Sequence, residues 1–292
     1  MTIIDWAAFT LPIAYTDRQP VPNEFQKRVQ RTIEQMSALM PLITAHCADY
    51  FTLVTPQRPY RQAYACPNVG FRVNADWKRK EVLVVFNGQS CEFVRGLGTA
   101  ATIELLVRVE ATGSRLDFAT DIVTSASPQD VQAQGWSKRI VSKSYIQSTQ
   151  GKTLYIGSRK SSAFCRVYRY NPPHPRSDKL RVEFELKKER ARAVAGIAIV
   201  DGVGTAARSV AARYEFGHED VLKAFHGHIR QIKTEAHNRS MASTEQWLLT
   251  QAAPAFLRLV REGVIADPEA WVNRYLLGNV KKPSPPKDLT KP

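Results

Sequence analysis

The sequence predicts an α+β fold with an antiparallel β-sheet core, flanking helices and a mostly helical C-terminal part. Two observations predict it. Short runs rich in β-branched and aromatic residues, bounded by turn residues, recur as far as Leu186 and are typical of strands. Beyond Lys187 the sequence becomes rich in alanine and other helix-favouring residues. The chain therefore divides into a β-rich module over 1–192, a helical region over 193–279 and a disordered proline- and lysine-rich tail over 280–292.

Hydrophobic spacing predicts the elements of the first half. Met1–Leu11 alternates loosely between apolar and polar residues, which predicts a first strand. Apolar residues in Glu24–His46 recur at helical spacing, so we expect a helix with one buried face there. Strand-like runs then occupy Phe51–Phe86, and Thr99–Val109 predicts a second helix.

The second half carries similar signals. Arg115–Val123 predicts a strand. Ser127 followed by Pro128 predicts a helix start, because serine caps helix N-termini and proline suits the first helical position. Three further strands are predicted at Thr153–Gly157, Ala163–Tyr170 and Leu180–Leu186. No internal repeat is visible in the sequence.

The positive charge of the chain is concentrated in one segment. The 292 residues carry a formal net charge of +14. Residues 137–192 contain 15 Lys and Arg against 4 Asp and Glu, so this segment alone carries +11. Such a segment is expected of a polyanion binder, because neutralised phosphates release condensed counterions. The alternative is a basic surface that serves solubility.

The sequence also indicates the cellular compartment of the protein. No stretch approaches the ~20 apolar residues of a membrane span, and the N-terminal residues lack the basic-then-apolar pattern of a signal peptide. We therefore expect a cytoplasmic protein with no membrane association. The four cysteines show no CxxC spacing, which argues against a zinc site and a disulfide framework and predicts buried, reduced thiols.

Three predicted strands each have one apolar face and one face of charged or tyrosine side chains, because alternate residues of a strand share a face. If these strands are neighbours in the sheet, the polar faces form one patch. Its members are Arg115, Asp117 and Asp121 on the first strand, Arg166, Tyr168 and Tyr170 on the second, and Arg181, Glu183, Glu185 and Lys187 on the third.

Such a patch suits phosphoryl transfer. Carboxylate oxygens in twos and threes hold Mg²⁺ or Mn²⁺, which polarises a phosphate oxygen. A tyrosine hydroxyl near the metal and near Arg166 would ionise below its ordinary pKa of about 10 and attack phosphorus. The alternative is an ordinary amphipathic sheet with salt bridges on its solvated face.

Several runs of the sequence resemble the replication initiation factor family, the Rep-trans group. The most specific are TLYIGSRKSSAFCRVYRY (153–170) and LRVEFELKKERA (180–191), supported by IDWAAFTL (4–11), GQSCEFVRGL (88–97) and RLDFATD (115–121). Members of the family start rolling-circle replication of plasmids and filamentous phages or act as relaxases. The resemblance covers residues 4–192 and implies nicking of one strand at an origin, a 5′-phosphotyrosine intermediate and dependence on a divalent cation.

The resemblance also implies roles for individual residues. The family segment R-[IV]-Y-D-K falls on Arg166, Val167 and Tyr168, which makes Tyr168 the expected nucleophile. The acidic positions make Asp117, Asp121, Glu183 and Glu185 the expected metal ligands. Phosphate contacts are expected from Arg166, Arg181, Lys187 and Lys188.

One position departs from the family pattern. Arg169 and Tyr170 stand where the family has Asp-Lys, so Tyr170 is a rival nucleophile and Arg169 or Lys179 is needed to replace the lysine charge. The turn between the first two strands of this region offers hydroxyls and cations that can grip a DNA backbone. Its candidate contacts are Ser158, Arg159, Lys160 and Ser161, and the alternative is a plain polar hairpin turn.

Two further signals carry less weight. Gly202–Ala207 superficially matches a dinucleotide fingerprint, but no second strand with an acidic residue follows it. His226-Gly227-His228 lies in a run, 221–237, that we expect to be helical. The sequence thus predicts a DNA nickase that acts on supercoiled or single-stranded origin DNA, with a helicase and a second copy as possible partners. The alternative is a non-catalytic DNA-binding protein on the same fold.

Overall fold

The structure is a computed structural model, and it describes residues 1–12, 27, 29, 31, 52–66, 69–76, 78–79, 81–133, 136, 142–234 and 253–272. The chain divides into two compact units, 1–235 and 236–292. The predicted helix Glu24–His46 lies outside the described residues apart from 27, 29 and 31, and the tail 280–292 lies wholly outside them.

Within the described residues, ten strands form one antiparallel sheet in the order β2-β3-β4-β5-β1-β6-β10-β9-β8-β7. The two longest strands, β1 and β6, lie side by side at its centre and pair with each other. The strands are β1 Thr2–Pro12, β2 Thr52–Val54, β3 Gln62–Cys66, β4 Phe71–Asp76, β5 Glu81–Phe86, β6 Gly113–Val123, β7 Lys143–Gln147, β8 Gly151–Ile156, β9 Ala163–Tyr170 and β10 Lys179–Lys187.

Helices pack against the sheet and bury its apolar face. Helices α1 (Gly88–Gly96) and α2 (Thr99–Thr112) connect β5 to β6, and α3 (Glu189–Tyr214) follows β10. A short helix, α4 (Glu219–Lys223), comes next. Phe184 from β10 packs against the rings of Tyr214, Phe216 and Phe225 at centroid distances of 5.3, 6.0 and 5.5 Å. The predicted α+β class with an antiparallel sheet is confirmed.

The two halves of the sheet repeat the same topology. In each half a long central strand is followed by four strands that run back from the edge to the centre, and then by helix. The order from edge to centre is β2-β3-β4-β5-β1 in the first half and β7-β8-β9-β10-β6 in the second. The sequence shows no repeat, so this repeated topology was not predicted, because different side chains can form the same strand order.

Element boundaries differ from the predicted ones in instructive places. Ser127 caps a short 3-10 helix, Pro128–Asp130, as expected, with Asp130 completing a capping box. Strand β7 was not predicted, because four of its five side chains are exposed and show no buried face. The run 221–237 was predicted as helix, which is wrong: helix α4 ends at Lys223. Gly227 lies there with φ +108°, where a Cβ would come within 2.8 Å of the Thr205 backbone.

Helix α3 is the one described helix that is long and apolar enough to cross a membrane by length and composition. Its Ala191, Val194, Ala195 and Ala198 side chains are buried in the hydrophobic core. Gly202 kinks it with φ +86°. These contacts are those of a core helix. Because the helix packs on the sheet, the first unit extends to residue 235, beyond the predicted boundary at 192.

The cysteines do not all behave as predicted. Cys91 and Cys165 are free and buried, and burial raises the pKa of both thiols. Cys66 is disulfide-bonded, with its partner outside the described residues. The expectation of four reduced thiols is therefore wrong for Cys66, because spacing along the sequence does not report which thiols meet in space.

The second unit contributes two described helices. Helix α5 spans Ala253–Arg261 and helix α6 spans Pro268–Val272. The rings of Phe256 and Trp271 lie 5.4 Å apart and join the two helices. The described part of this unit is helical, as expected for the C-terminal region.

Candidate active site

The three polar strand faces meet in the structure, because β6, β10 and β9 are consecutive in the sheet. Glu185 lies opposite Asp117, and Arg181 lies opposite both Asp121 on one side and Tyr168 on the other. The face opposite the helices therefore carries one continuous patch of carboxylates, guanidiniums and tyrosines. We call this patch the polar face.

Arg181 is the centre of the polar face. Its guanidinium donates to Asp5 at 2.6 Å, to both oxygens of Asp121 at 3.1 Å and to Glu183 at 3.1 Å. The side chain is only 6% exposed, and Asp5, Asp121 and Glu183 together raise its pKa against the opposing effect of burial. Arg181 therefore organises three acidic side chains that come from three different strands.

Asp5 is a member of the polar face that the sequence pattern did not identify. The β1–β6 register shifts between Ile4 and Trp6, which marks a bulge at Asp5. A bulge re-aims a side chain, so Asp5 reaches Arg181 on the polar face while Ile4 and Ala7 keep their places in the core. Burial raises the pKa of Asp5, and Arg181 acts against that shift. Strict alternation would have placed Asp5 with the core residue Ala7.

A second cluster surrounds Arg115. Its guanidinium donates to Asp117 at 2.5–3.1 Å, pairs with Glu185 at 3.0 Å, and lies 4.7 Å from the centre of the Trp6 ring. Glu185 also pairs with Lys187 at 2.7 Å. Asp117 is the most deeply buried carboxylate of the patch, and burial raises its pKa to about 7 although Arg115 opposes the shift.

Tyr168 is held by Glu183. Its hydroxyl donates to Glu183 Oε1 at 2.5 Å, and the other Glu183 oxygen pairs with Arg166. Burial raises the pKa of Tyr168, and the Glu183 carboxylate raises it further. The protein's own residues therefore raise this pKa, and the lowering expected beside a metal ion stays a prediction. The geometry instead places a proton acceptor directly on the hydroxyl.

Tyr170 has different surroundings. Its ring stands perpendicular to that of Tyr168 at 5.3 Å and stacks face to face on His174 at 3.7 Å. His174 lies in the connection between β9 and β10 and was not singled out from the sequence. In the described residues only Tyr168 of these two tyrosines donates to a carboxylate.

The expected metal ligands do not form a ready-made cation site. Each of the four carboxylates is engaged by a guanidinium or an ammonium group: Asp117 and Glu185 by Arg115, Asp121 by Arg181, and Glu183 by Arg166 and Arg181. Within the described ranges, no three acidic, histidine or cysteine side chains are placed to share a metal ion. The donor set as arranged therefore does not fit a divalent cation, and a requirement for one stays a prediction.

The turn between β8 and β9 presents its side chains to solvent. Arg159 lies over the Tyr155 ring at 5.2 Å, and Lys160 is exposed. Ser161 Oγ donates to the Ser158 carbonyl at 2.7 Å, which closes the turn. The turn is thus ordered and basic, in keeping with its predicted contact to a DNA backbone.

The remaining predicted cations are distributed differently. Lys187 donates to the Arg159 carbonyl, and Lys188 stands at the start of α3 with φ +53°. Arg169 is not part of the polar face: it points to the other side of β9, where it donates to the carbonyls of Thr124, Ala126 and Ser177. It therefore does not replace the charge of the missing lysine beside Tyr168.

Comparison with known proteins agrees with the fold. No protein-family model matches the sequence, and no curated protein matches it. Among solved structures, the chain is similar to a rolling circle replication initiator protein from Geobacillus stearothermophilus, with a TM-score of 0.50 and 19% identity. The match covers 82% of this chain and 89% of that one. The chain thus shares its large antiparallel sheet with flanking helices with that protein.

Proposed function

We propose that the chain is a site-specific DNA strand nickase and ligase that initiates rolling-circle replication through a 5′-phosphotyrosine intermediate. One observation carries the proposal: the Tyr168 hydroxyl donates to a buried carboxylate, Glu183, beside the guanidiniums of Arg166 and Arg181. A nucleophile with its base in hydrogen-bond contact is the arrangement that covalent catalysis requires. The similar fold of a replication initiator supports the same role.

The chemistry follows from these positions. Tyr168 Oη attacks the scissile phosphorus while its proton passes to Glu183. This proton transfer allows the attack although the pKa of the hydroxyl is raised. A tyrosine–phosphorus bond forms, the bond from phosphorus to the 3′ oxygen breaks, and that oxygen leaves as a hydroxyl with a proton from solvent. The retained phosphodiester allows a later 3′ hydroxyl to reverse the step and rejoin the strand.

A DNA-binding protein that does not cut is the second candidate, and one observation favours it. Neither residue of the family's Asp-Lys pair follows Tyr168, and Arg169 in the first of these positions points away from the polar face. Such a protein would keep the basic surface and lose the covalent step. Covalent attachment to DNA distinguishes the two candidates.

The partner of either candidate is DNA at an origin, supercoiled or single-stranded. The net charge of +11 in residues 137–192 supports this partner, since cationic residues release counterions from phosphates. A cytoplasmic location, a helicase partner and a homodimer stay predictions. So does dependence on Mg²⁺ or Mn²⁺, which the resemblance implies.

The decisive experiment uses supercoiled plasmid that carries the origin of the replicon encoding the chain, with Mg²⁺ or Mn²⁺. Wild type is expected to nick the plasmid and stay bound to the 5′ end. Tyr168→Phe should abolish both effects, whereas Tyr170→Phe should keep them. Loss only in Tyr170→Phe would move the nucleophile to that residue. Binding without a nick or an adduct would establish the second candidate.

A further inference from the structure

The connection between β9 and β10 runs beside the nucleophile. Strand β9 ends at Tyr170, two residues after Tyr168, and β10 begins at Lys179. Tyr168 lies opposite Arg181. The connection over 171–178 therefore leaves β9 two residues after Tyr168 and enters β10 two residues before Arg181.

Hydrogen bonds order this connection. The His174 amide donates to the Asn171 carbonyl at 3.2 Å, and the Ser177 amide donates to the His174 carbonyl at 2.9 Å. The His174 ring accepts from the Arg176 amide at 3.1 Å through Nδ1 and stacks on Tyr170. Backbone and ring contacts thus hold the segment that carries Arg176 in one conformation next to Tyr168.

The polar face itself cannot attract a phosphate by net charge. Asp5 adds a fifth carboxylate to the four predicted ones, and these five face four cations: Arg115, Arg166, Arg181 and Lys187. The formal balance of the patch is therefore negative. Every one of the four cations is also paired with a carboxylate, so a phosphate that bound to one of them would have to compete with that partner.

Two cations beside the nucleophile are not paired. In the part of the chain that the structure describes, the side chains of Arg176 and Lys179 form no ion pair or hydrogen bond. Arg176 is exposed, and it is among the cations that lower the pKa of Asp5 against the effect of burial, so its charge acts on the polar face. Lys179 stands two residues before Arg181 on β10 and shares its face.

We propose that Arg176 and Lys179 bind the phosphates of the DNA strand that is held against Tyr168. This inference rests on the proposed function. It assigns to Arg176 in the connection and to Lys179 at the start of β10 a positive charge beside Tyr168 that Arg169 does not supply. With Asp178 between them, the two side chains bring the local formal charge from −1 to zero. They have no carboxylate to give up, so their full charge is available for charge-assisted hydrogen bonds to phosphate.

The test measures strand binding and chemistry separately. Binding is measured by fluorescence anisotropy in the Tyr168→Phe background, with a labelled single strand that spans the replicon's nick site, over a series of salt concentrations. Arg176→Ala and Lys179→Ala are each expected to weaken binding about tenfold. Each should lower the slope of log affinity against log salt by about 0.7, the value for one phosphate contact on a single strand. Arg176→Lys should keep the slope.

Lys223→Ala is the matched control, because it removes one positive charge from an exposed helix of the first unit, outside the polar face. It should leave affinity and slope unchanged. Unchanged affinity and slope in both Arg176→Ala and Lys179→Ala would overturn the inference. Adduct formation is then measured with Tyr168 intact. A wild type that forms no adduct, while Arg176→Ala still weakens binding, would refute the proposed function and leave this inference standing.

Discussion

Glu183 contacts the Tyr168 hydroxyl and two guanidiniums, so Glu183→Gln tests the proposed site and the fold together. The substitution keeps the side-chain volume and an acceptor for the Tyr168 hydroxyl, but it removes the negative charge. Arg181 keeps its two aspartate partners, whereas Arg166 loses the one ion pair it forms among the described residues. Breaking a buried pair costs about 3–5 kcal/mol. Because the Arg166 side chain is 28% exposed, we expect a loss of about 2 kcal/mol.

Urea unfolding followed by circular dichroism measures this loss as a lower midpoint at constant slope. Glu219→Gln is the matched control, since it also removes a carboxylate from an ion pair, but one with Lys223 in which both side chains are at least 70% exposed. The control should unfold like wild type. Equal midpoints for wild type and Glu183→Gln would contradict the ion-pair arrangement around Arg166 and Arg181.

The same variant tests the proposed base. Loss of the proton acceptor on Tyr168 should slow adduct formation with origin DNA by about 10²–10⁴-fold. Single-turnover rates at saturating DNA are the appropriate measurement, because they exclude differences in binding. A wild-type rate in Glu183→Gln would exclude Glu183 as the base, whatever the stability of the variant.

Three further predictions follow from the buried charges. Because burial raises the pKa of Asp117 from 3.8 to about 7, the folded protein binds this proton more tightly than the unfolded chain does. As the pH rises from 4 to 7, the free energy of unfolding of wild type should therefore fall by up to about 4 kcal/mol relative to that of Asp117→Asn, as measured by urea unfolding without metal. A difference between the two proteins that does not change with pH would contradict this. Arg169→Ala removes the side-chain donors to three carbonyls. It should lower the unfolding free energy by about 2 kcal/mol without changing DNA affinity, so weaker DNA binding at unchanged stability would speak against its structural role. A divalent cation has to compete with Arg115 for Asp117 and Glu185. Arg115→Gln should thus bind Mn²⁺ about tenfold more tightly in calorimetry, and equal affinities would exclude such competition.

The faces of the strands could be predicted from the sequence, but their partners could not. Alternation correctly separated Asp117, Tyr168 and Glu183 from the core residues beside them, because a strand that packs on helices must bury one face. That the three strands are neighbours depends on a sheet order in which β10 returns between β6 and β9. No local pattern encodes that order.

Other features of the site could not be predicted from the sequence, each for a local physical reason. Asp5 joins the polar face through a bulge, and one inserted residue reverses the alternation on which the prediction depends. Arg176 lies in a connection without periodicity, so its position is set by contacts of His174 with Tyr170. The direction of the Tyr168 pKa shift depends on burial and on Glu183, neither of which a strand pattern reports.

The central pairing of β1 with β6 has a consequence for how the polar face is assembled. Tyr168, Glu183 and Arg181 all belong to the second half of the sheet, whereas Asp5 belongs to β1 in the first half. The acidic set around Arg181 is therefore incomplete until residues from the beginning of the chain meet β6 and β10. A chain in which β1 has not paired with β6 therefore lacks one of the three carboxylates that surround Arg181.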